Sequence, residues 1–163
     1  MIKARLVGGG HTTTAPSSIT FSSVVSRDSF RVALTIAEFS ELDKMACDIQ
    51  NAYLTALCRE NIWTFAGPEV VEEEGKLMIV KMALYGLKSS GAVFQSKLAG
   101  VLRDICYLST KGDPNVWIRL AVKIDGTEYH EMLLCYVDNL LALLVTPMTI
   151  IEGIKAVFKL KGE

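Results

Sequence analysis

Two aspartates close apolar runs in this chain. Asp48 ends Met45-Ala46-Cys47, and Asp138 ends Met132-Leu133-Leu134-Cys135-Tyr136-Val137. A carboxylate at the end of an apolar strand is costly to bury unless it is paired or binds a cation. Two such carboxylates brought to one point repel each other unless a divalent ion lies between them. That constellation suits metal-assisted phosphoryl chemistry, in which two ions clamp the attacking and leaving oxygens. Asn139 follows Asp138, so the second position of this dipeptide brings an amide where a carboxylate would bring charge.

The rest of the composition narrows the field. The 163 residues make one ordinary domain, and 50% of them are hydrophobic, enough for a sizeable core. A net charge of −1 argues against an autonomous nucleic-acid binder, which carries a basic footprint, but not against a local basic cleft. The four cysteines, Cys47, Cys58, Cys106 and Cys135, show no C-x-x-C spacing and read as reduced core residues. With only His11 and His130, zinc is disfavoured. Gly8-Gly9-Gly10 has the composition of a phosphate cradle but lacks the strand–Gly–Lys–Ser order of a P-loop. No signal peptide is evident at the start. The apolar region from Met132 to Ile151 is broken by Asp138-Asn139 and Pro147, so neither half spans a membrane.

The elements that must position the aspartates follow from periodicity. Residues 1–23 read as extended or loop, with a short strand over Lys3-Ala4-Arg5-Leu6-Val7. Ser26 is an N-cap before a helix of about three turns marked by Phe30, Ala33, Leu34 and Ala37. Strands are expected over Asp43–Ile49, Ile62–Phe65, Leu77–Met82 and Val116–Val122, with a charged turn at Glu72-Glu73-Glu74-Gly75. Ser90–Ile105 carries an amphipathic pattern, and Asp125-Gly126 signals a hairpin. Two apolar strands flank Asp138-Asn139. Thr146-Pro147 opens a last helix lined by Ile150, Ile151, Ile154 and Phe158. The alternation predicts an α+β fold, an antiparallel sheet with helices packed on one face.

Several segments then resemble, in order, those of one family. Asp48-Ile49-Gln50-Asn51-Ala52-Tyr53-Leu54 is similar to its first catalytic motif, an aspartate followed five residues later by an aromatic. Ala83-Leu84-Tyr85-Gly86-Leu87-Lys88 is nearly its signature, and Lys111-Gly112-Asp113-Pro114 resembles the lead into its next strand. Tyr136-Val137-Asp138-Asn139 takes the place of a Tyr-Val-Asp-Asp catalytic hairpin, and Lys3-Ala4-Arg5-Leu6-Val7 resembles a fingers segment. The family is the reverse transcriptase of copia-type LTR retrotransposons.

That resemblance implies a palm-like sheet with a partial fingers segment. Residues 1–44 would hold partial fingers and the first helix, and 45–163 the palm with fingers insertions, without thumb or RNase H. It implies RNA-directed DNA synthesis from dNTPs on a template-primer, by two-metal transfer with Mg²⁺, or Mn²⁺ in its place. Asp48, Asp138 and Asn139 would be catalytic, and Asp48, Asp138 and Ile49 would lie at the metals. Tyr53, Tyr85, Gly86, Lys88, Lys3 and Arg5 would meet the nucleotide, Tyr53 as the gate against a 2′-hydroxyl. Integrase and RNase H domains of a polyprotein would be partners, no membrane would be involved, and the setting would be cytoplasmic, in a virus-like particle. Asn139 in place of the second hairpin aspartate, and Gly91 in place of the usual proline, depart from the pattern. They leave open a catalytically inactive remnant, folded but inert or protein-binding. A non-polymerase metal-dependent phosphotransferase is a further alternative.

Overall fold

A computed structural model describes residues 7–14, 16–17, 20–68 and 71–161. The chain divides into two compact units. One takes in residues up to Ser22 and Tyr53–Lys97, the other Ser23–Ala52 and the residues from Leu98 onward.

The second unit holds a five-stranded antiparallel sheet. Its strands are β1 (Asp43–Asp48), β4 (Leu108–Ser109), β5 (Val116–Val122), β6 (Glu128–Tyr136) and β7 (Asn139–Leu144), in the order β1-β7-β6-β5-β4. Helix α1 (Arg27–Phe39) precedes β1, and α3 (Pro147–Lys155) follows β7. Ser26 caps α1, its hydroxyl accepting from the Ser29 N–H at 3.1 Å, as the sequence predicts. Pro147 stands in the first turn of α3, but the Thr146 side chain makes no cap; instead the Thr146 carbonyl accepts from Thr149.

Register assigns the faces. Residues opposite each other across a ladder share a face, and neighbours along a strand alternate. Met132 pairs with Leu143 and Leu134 with Leu141. These pack with Val25, Ala33, Ala37, Leu42 and Val116 in the core beneath α1. Leu133, Cys135, Leu140 and Ala142 lie on the opposite face and are also buried. There the guanidinium of Arg103, from α2 (Ser90–Asp104), sits 5.5 Å over the ring of Trp117. The expectation of helices on one face is therefore corrected. Glu131 through Cys135 are buried without interruption, which an antiparallel strand shows only where both faces are covered. Glu131 is tolerated there because Tyr107 donates to its Oε2 at 2.7 Å and Arg119 pairs with the same oxygen at 2.7 Å.

The first unit is smaller. β2 (Trp63–Phe65) and β3 (Leu77–Ile79) form a two-stranded ribbon with Trp63 opposite Ile79 and Phe65 opposite Leu77. All four side chains are exposed. β3 is shorter than the sequence predicts; Met82 instead makes an isolated bridge with Leu57.

Candidate active site

Folding brings the main chains around Asp48 and Asp138 together at one end of the sheet. Asp48, the last residue of β1, pairs across the ladder with Asn139, the first of β7. The next residue, Ile49, donates its N–H to the carbonyl of Asp138 at 2.8 Å. Asp48, Asn139 and Tyr136 thus form one row across β1, β7 and β6. Val137-Asp138 is the two-residue turn joining β6 to β7, with Val137 at φ 54°. A hairpin this tight takes positive φ at its first central position, and a β-branched residue there costs roughly 1–3 kcal/mol.

The two carboxylates are held differently. Asp48 gives Oδ2 to the ammonium of Lys161 at 2.7 Å. Its Oδ1 is buried and has no hydrogen-bond partner among the described residues. An acceptor left so costs about 1–3 kcal/mol. Asp138 receives the side-chain N–H of Asn139 at 3.1 Å on Oδ1. The amide therefore spends a donor on its neighbour. Cys47 is no nucleophile here: burial, and then the Asp48 charge, push its thiol up to about 11 against the pull of Lys155. Burial likewise pushes Cys135 up to about 12. All four cysteines are free, but the expectation that they are core residues holds only for Cys135: Cys47 and Cys58 are half-buried and Cys106 is exposed.

This donor set fits a hard divalent cation, because the orphaned Asp48 oxygen is a ligand atom in want of a partner. Ile49 has only main-chain atoms to offer, and its side chain is buried. No three His, Cys, Asp or Glu side chains gather among the described residues. Such a site leaves much of a cation's shell to water or phosphate oxygens. Beside the row, a cavity of about 560 Å³ is walled by Phe30, Ala46, Leu134 and Leu141, with Arg27 and Asn139 at its polar side.

The predicted nucleotide residues lie in the first unit, except Lys3 and Arg5, which fall outside the described residues. Tyr53, in the 3-10 turn Ala52–Thr55, stacks obliquely on Tyr85, ring centres 4.6 Å apart, and meets Phe94 edge-on at 6.0 Å. Gly86 has φ +89°, and a side chain on it would collide with the Gly8 carbonyl. One on Gly10 would collide with the Gly86 carbonyl. The glycine triplet thus lets main chain approach main chain, with the Gly8 N–H bonded to the Tyr85 carbonyl at 2.6 Å; that is the use the structure shows for it. Lys88 donates to the Thr13 carbonyl at 2.7 Å. A Cβ on Gly91 would stand 3.0 Å from that of Ser22 and 3.9 Å from the Tyr53 hydroxyl.

Sequence reading missed Lys161 and Arg27. Neither stands at a spacing that marks it; only folding brings Lys161 to Asp48. No helix among the described residues is long and apolar enough to cross a membrane.

Known proteins give the arrangement its context. The profile of the family described as reverse transcriptase (RNA-dependent DNA polymerase) matches residues 1–162. The retrovirus-related Pol polyprotein from transposon TNT 1-94 of Nicotiana tabacum is 32% identical over 124 residues, 74% of this chain. That from transposon RE1 of Arabidopsis thaliana is 24% identical over 143 residues, 85% of the chain. Each match covers 9% of the relative's own length.

Proposed function

Because this chain belongs to the reverse transcriptase (RNA-dependent DNA polymerase) family, in its copia-type branch, we propose that it forms the catalytic part of an RNA-directed DNA polymerase. The reaction is attack of a primer 3′-hydroxyl on the α-phosphorus of a dNTP, releasing pyrophosphate. The observation that carries the reading is the corner itself: the Asp48 end of β1 lies against the hairpin that carries Asp138, distant in sequence, and Asp48 keeps a buried oxygen without a partner among the described residues.

Asp48 and Asp138 are the residues to hold the cations, with the Ile49 main chain beside them. Mg²⁺ or Mn²⁺ bound there would make the 3′-hydroxyl a better nucleophile and offset charge on the leaving pyrophosphate. Asp48 would present Oδ1, while its Oδ2 stays with Lys161. In the first unit, the Tyr53 ring, braced by Tyr85 and Phe94, would exclude a ribose 2′-hydroxyl. Gly86 would allow close backbone approach, and Lys88, Lys3 and Arg5 would meet phosphates. In this reading the five-stranded sheet is the palm, residues 1–44 hold part of the fingers ahead of the first helix, and the template-primer comes with further domains of a Pol polyprotein, integrase and RNase H among them.

The test is primer extension on an RNA template with dNTPs and Mg²⁺. Asp138→Ala should lower the rate by about three orders of magnitude, since one charge–charge term near 4 Å is on the order of 4 kcal/mol. A rate indifferent to both aspartates overturns the reading. One observation favours a second reading, an inert or attenuated copy. Asn139 turns its N–H to Asp138 and brings no charge to the corner.

A further inference from the structure

Lys161 is not a casual surface lysine. The Gln50 N–H donates to the Lys159 carbonyl at 2.8 Å, and the Lys161 N–H donates to the Asp48 carbonyl at 2.9 Å. Between them Ile49 and Leu160 form an isolated antiparallel bridge. Phe158 and Leu160 anchor this strap in the core, at 2% and 3% exposure. Lys161 therefore holds Asp48 at two points, main chain to main chain and ammonium to carboxylate. A flexible surface pair has no such anchor.

The two carboxylate oxygens end in unlike states. Oδ2 carries the ammonium, and Oδ1 is buried and unpaired. A fixed positive charge on one oxygen steers the carboxylate and opposes any cation that approaches the other. The Lys161 side chain is 56% exposed, so solvent screens what the pair adds to folding. Its effect on a doubly charged ion is larger, because the interaction scales with the product of the charges.

We infer that Lys161 is a positioning residue that sets the cation affinity of Asp48, leaving Oδ1 as the ligand atom and raising the cation concentration at which the site fills. The inference rests on the reading of Asp48 as a cation ligand and adds a control on it. Lys161 makes the corner responsive to cation supply, since the strap fixes its main chain beside Asp48 and keeps a competing charge within reach.

The experiment is a Mn²⁺ titration of the protein, with free Mn²⁺ read by electron paramagnetic resonance. Lys161→Met keeps an unbranched side chain one atom shorter and removes its charge. It should tighten Mn²⁺ binding by about tenfold, the scale of one screened charge acting on a divalent ion. Lys161→Arg should bind as the parent does. Asp48→Asn should bind at least about tenfold more weakly, and adding Lys161→Met to it should then change little. Circular dichroism should show the parent fold in each. Parent-like or weaker binding by Lys161→Met, with Asp48→Asn still weakened, overturns the role of Lys161 and leaves the site standing. Parent-like binding by Asp48→Asn overturns both.

Discussion

The two units build their candidate residues by opposite means. In the five-stranded sheet the aspartates are fixed by ladder register, and what is special about them is charge: one oxygen paired, one orphaned, and an amide on the other carboxylate. In the smaller unit, Tyr53, Tyr85 and Gly86 are fixed by close approach, ring on ring and main chain on main chain. Volume is what that arrangement cannot change. The first region should therefore tolerate changes of shape better than changes of charge, and the second the reverse.

Four substitutions sharpen or break this contrast. Gly86→Ala has the largest expected effect. It places a Cβ at φ +89° against the Gly8 carbonyl and should cost about 3 kcal/mol. Hydrogen exchange should rise over residues 7–14 and 82–90 while β1, β6 and β7 stay protected. Loss of protection in both units together would break the comparison. Tyr53→Ala should cost roughly 2–3 kcal/mol by removing the ring between Tyr85 and Phe94. Where polymerisation is measurable, it should also admit ribonucleotides; unchanged discrimination would leave Tyr53 with packing alone.

Asp113→Asn probes charge away from the corner. Asp113 accepts the main-chain N–H of Ser26 at 2.8 Å and of Asn115 at 3.0 Å. Burial pushes its carboxyl up, but these bonds outweigh burial and hold it below the usual range. Its contribution is thus complete above the unfolded value, near pH 4, and is lost as pH falls through the lower folded value. Asp113→Asn should cost about 1.5 kcal/mol at pH 7, read as a lower Tm, with the gap to the parent closing in acid. The smallest effect is Asn139→Asp, about 1.4 kcal/mol in the rate barrier. It should speed primer extension by roughly tenfold, lower the Mg²⁺ needed, and lower Tm in the absence of divalent cation, where like carboxylates crowd. A Tm change without a rate change would show that the added charge bears on folding and not on the reaction.

Much of the frame was legible because it rests on local rules. Ser26 as a cap, Pro147 in the first turn and a hairpin near Asp138 follow from side-chain chemistry and period, but the turn is Val137-Asp138 where the sequence suggests Asp138-Asn139, and β1 stops at Asp48, one residue short of Ile49. β4, two residues long, has no period to read. Burial of both sheet faces was hidden by Glu131, which reads as solvent-facing until Tyr107 and Arg119 arrive from elsewhere in the chain. The role of the glycine triplet was hidden for the same reason, since its partner is Tyr85-Gly86. In the corner, the aspartates declared themselves by standing at the ends of apolar runs. The unequal fates of the Asp48 oxygens depend on Lys161, which no spacing announces.

The place of β1 at the margin of its sheet carries a practical consequence. An outermost strand is a template for strand addition by another chain, and charged side chains are a common guard against such self-association. At its Asp48 end that margin is already taken, because the strap of Lys159 to Lys161 bonds to Asp48 and Gln50. The guards of its other end are Asp43 and Lys44. These two residues therefore have a duty that is colloidal and not chemical, so a sample neutralised at both needs its solubility and light scattering checked before any loss of function is credited to the corner.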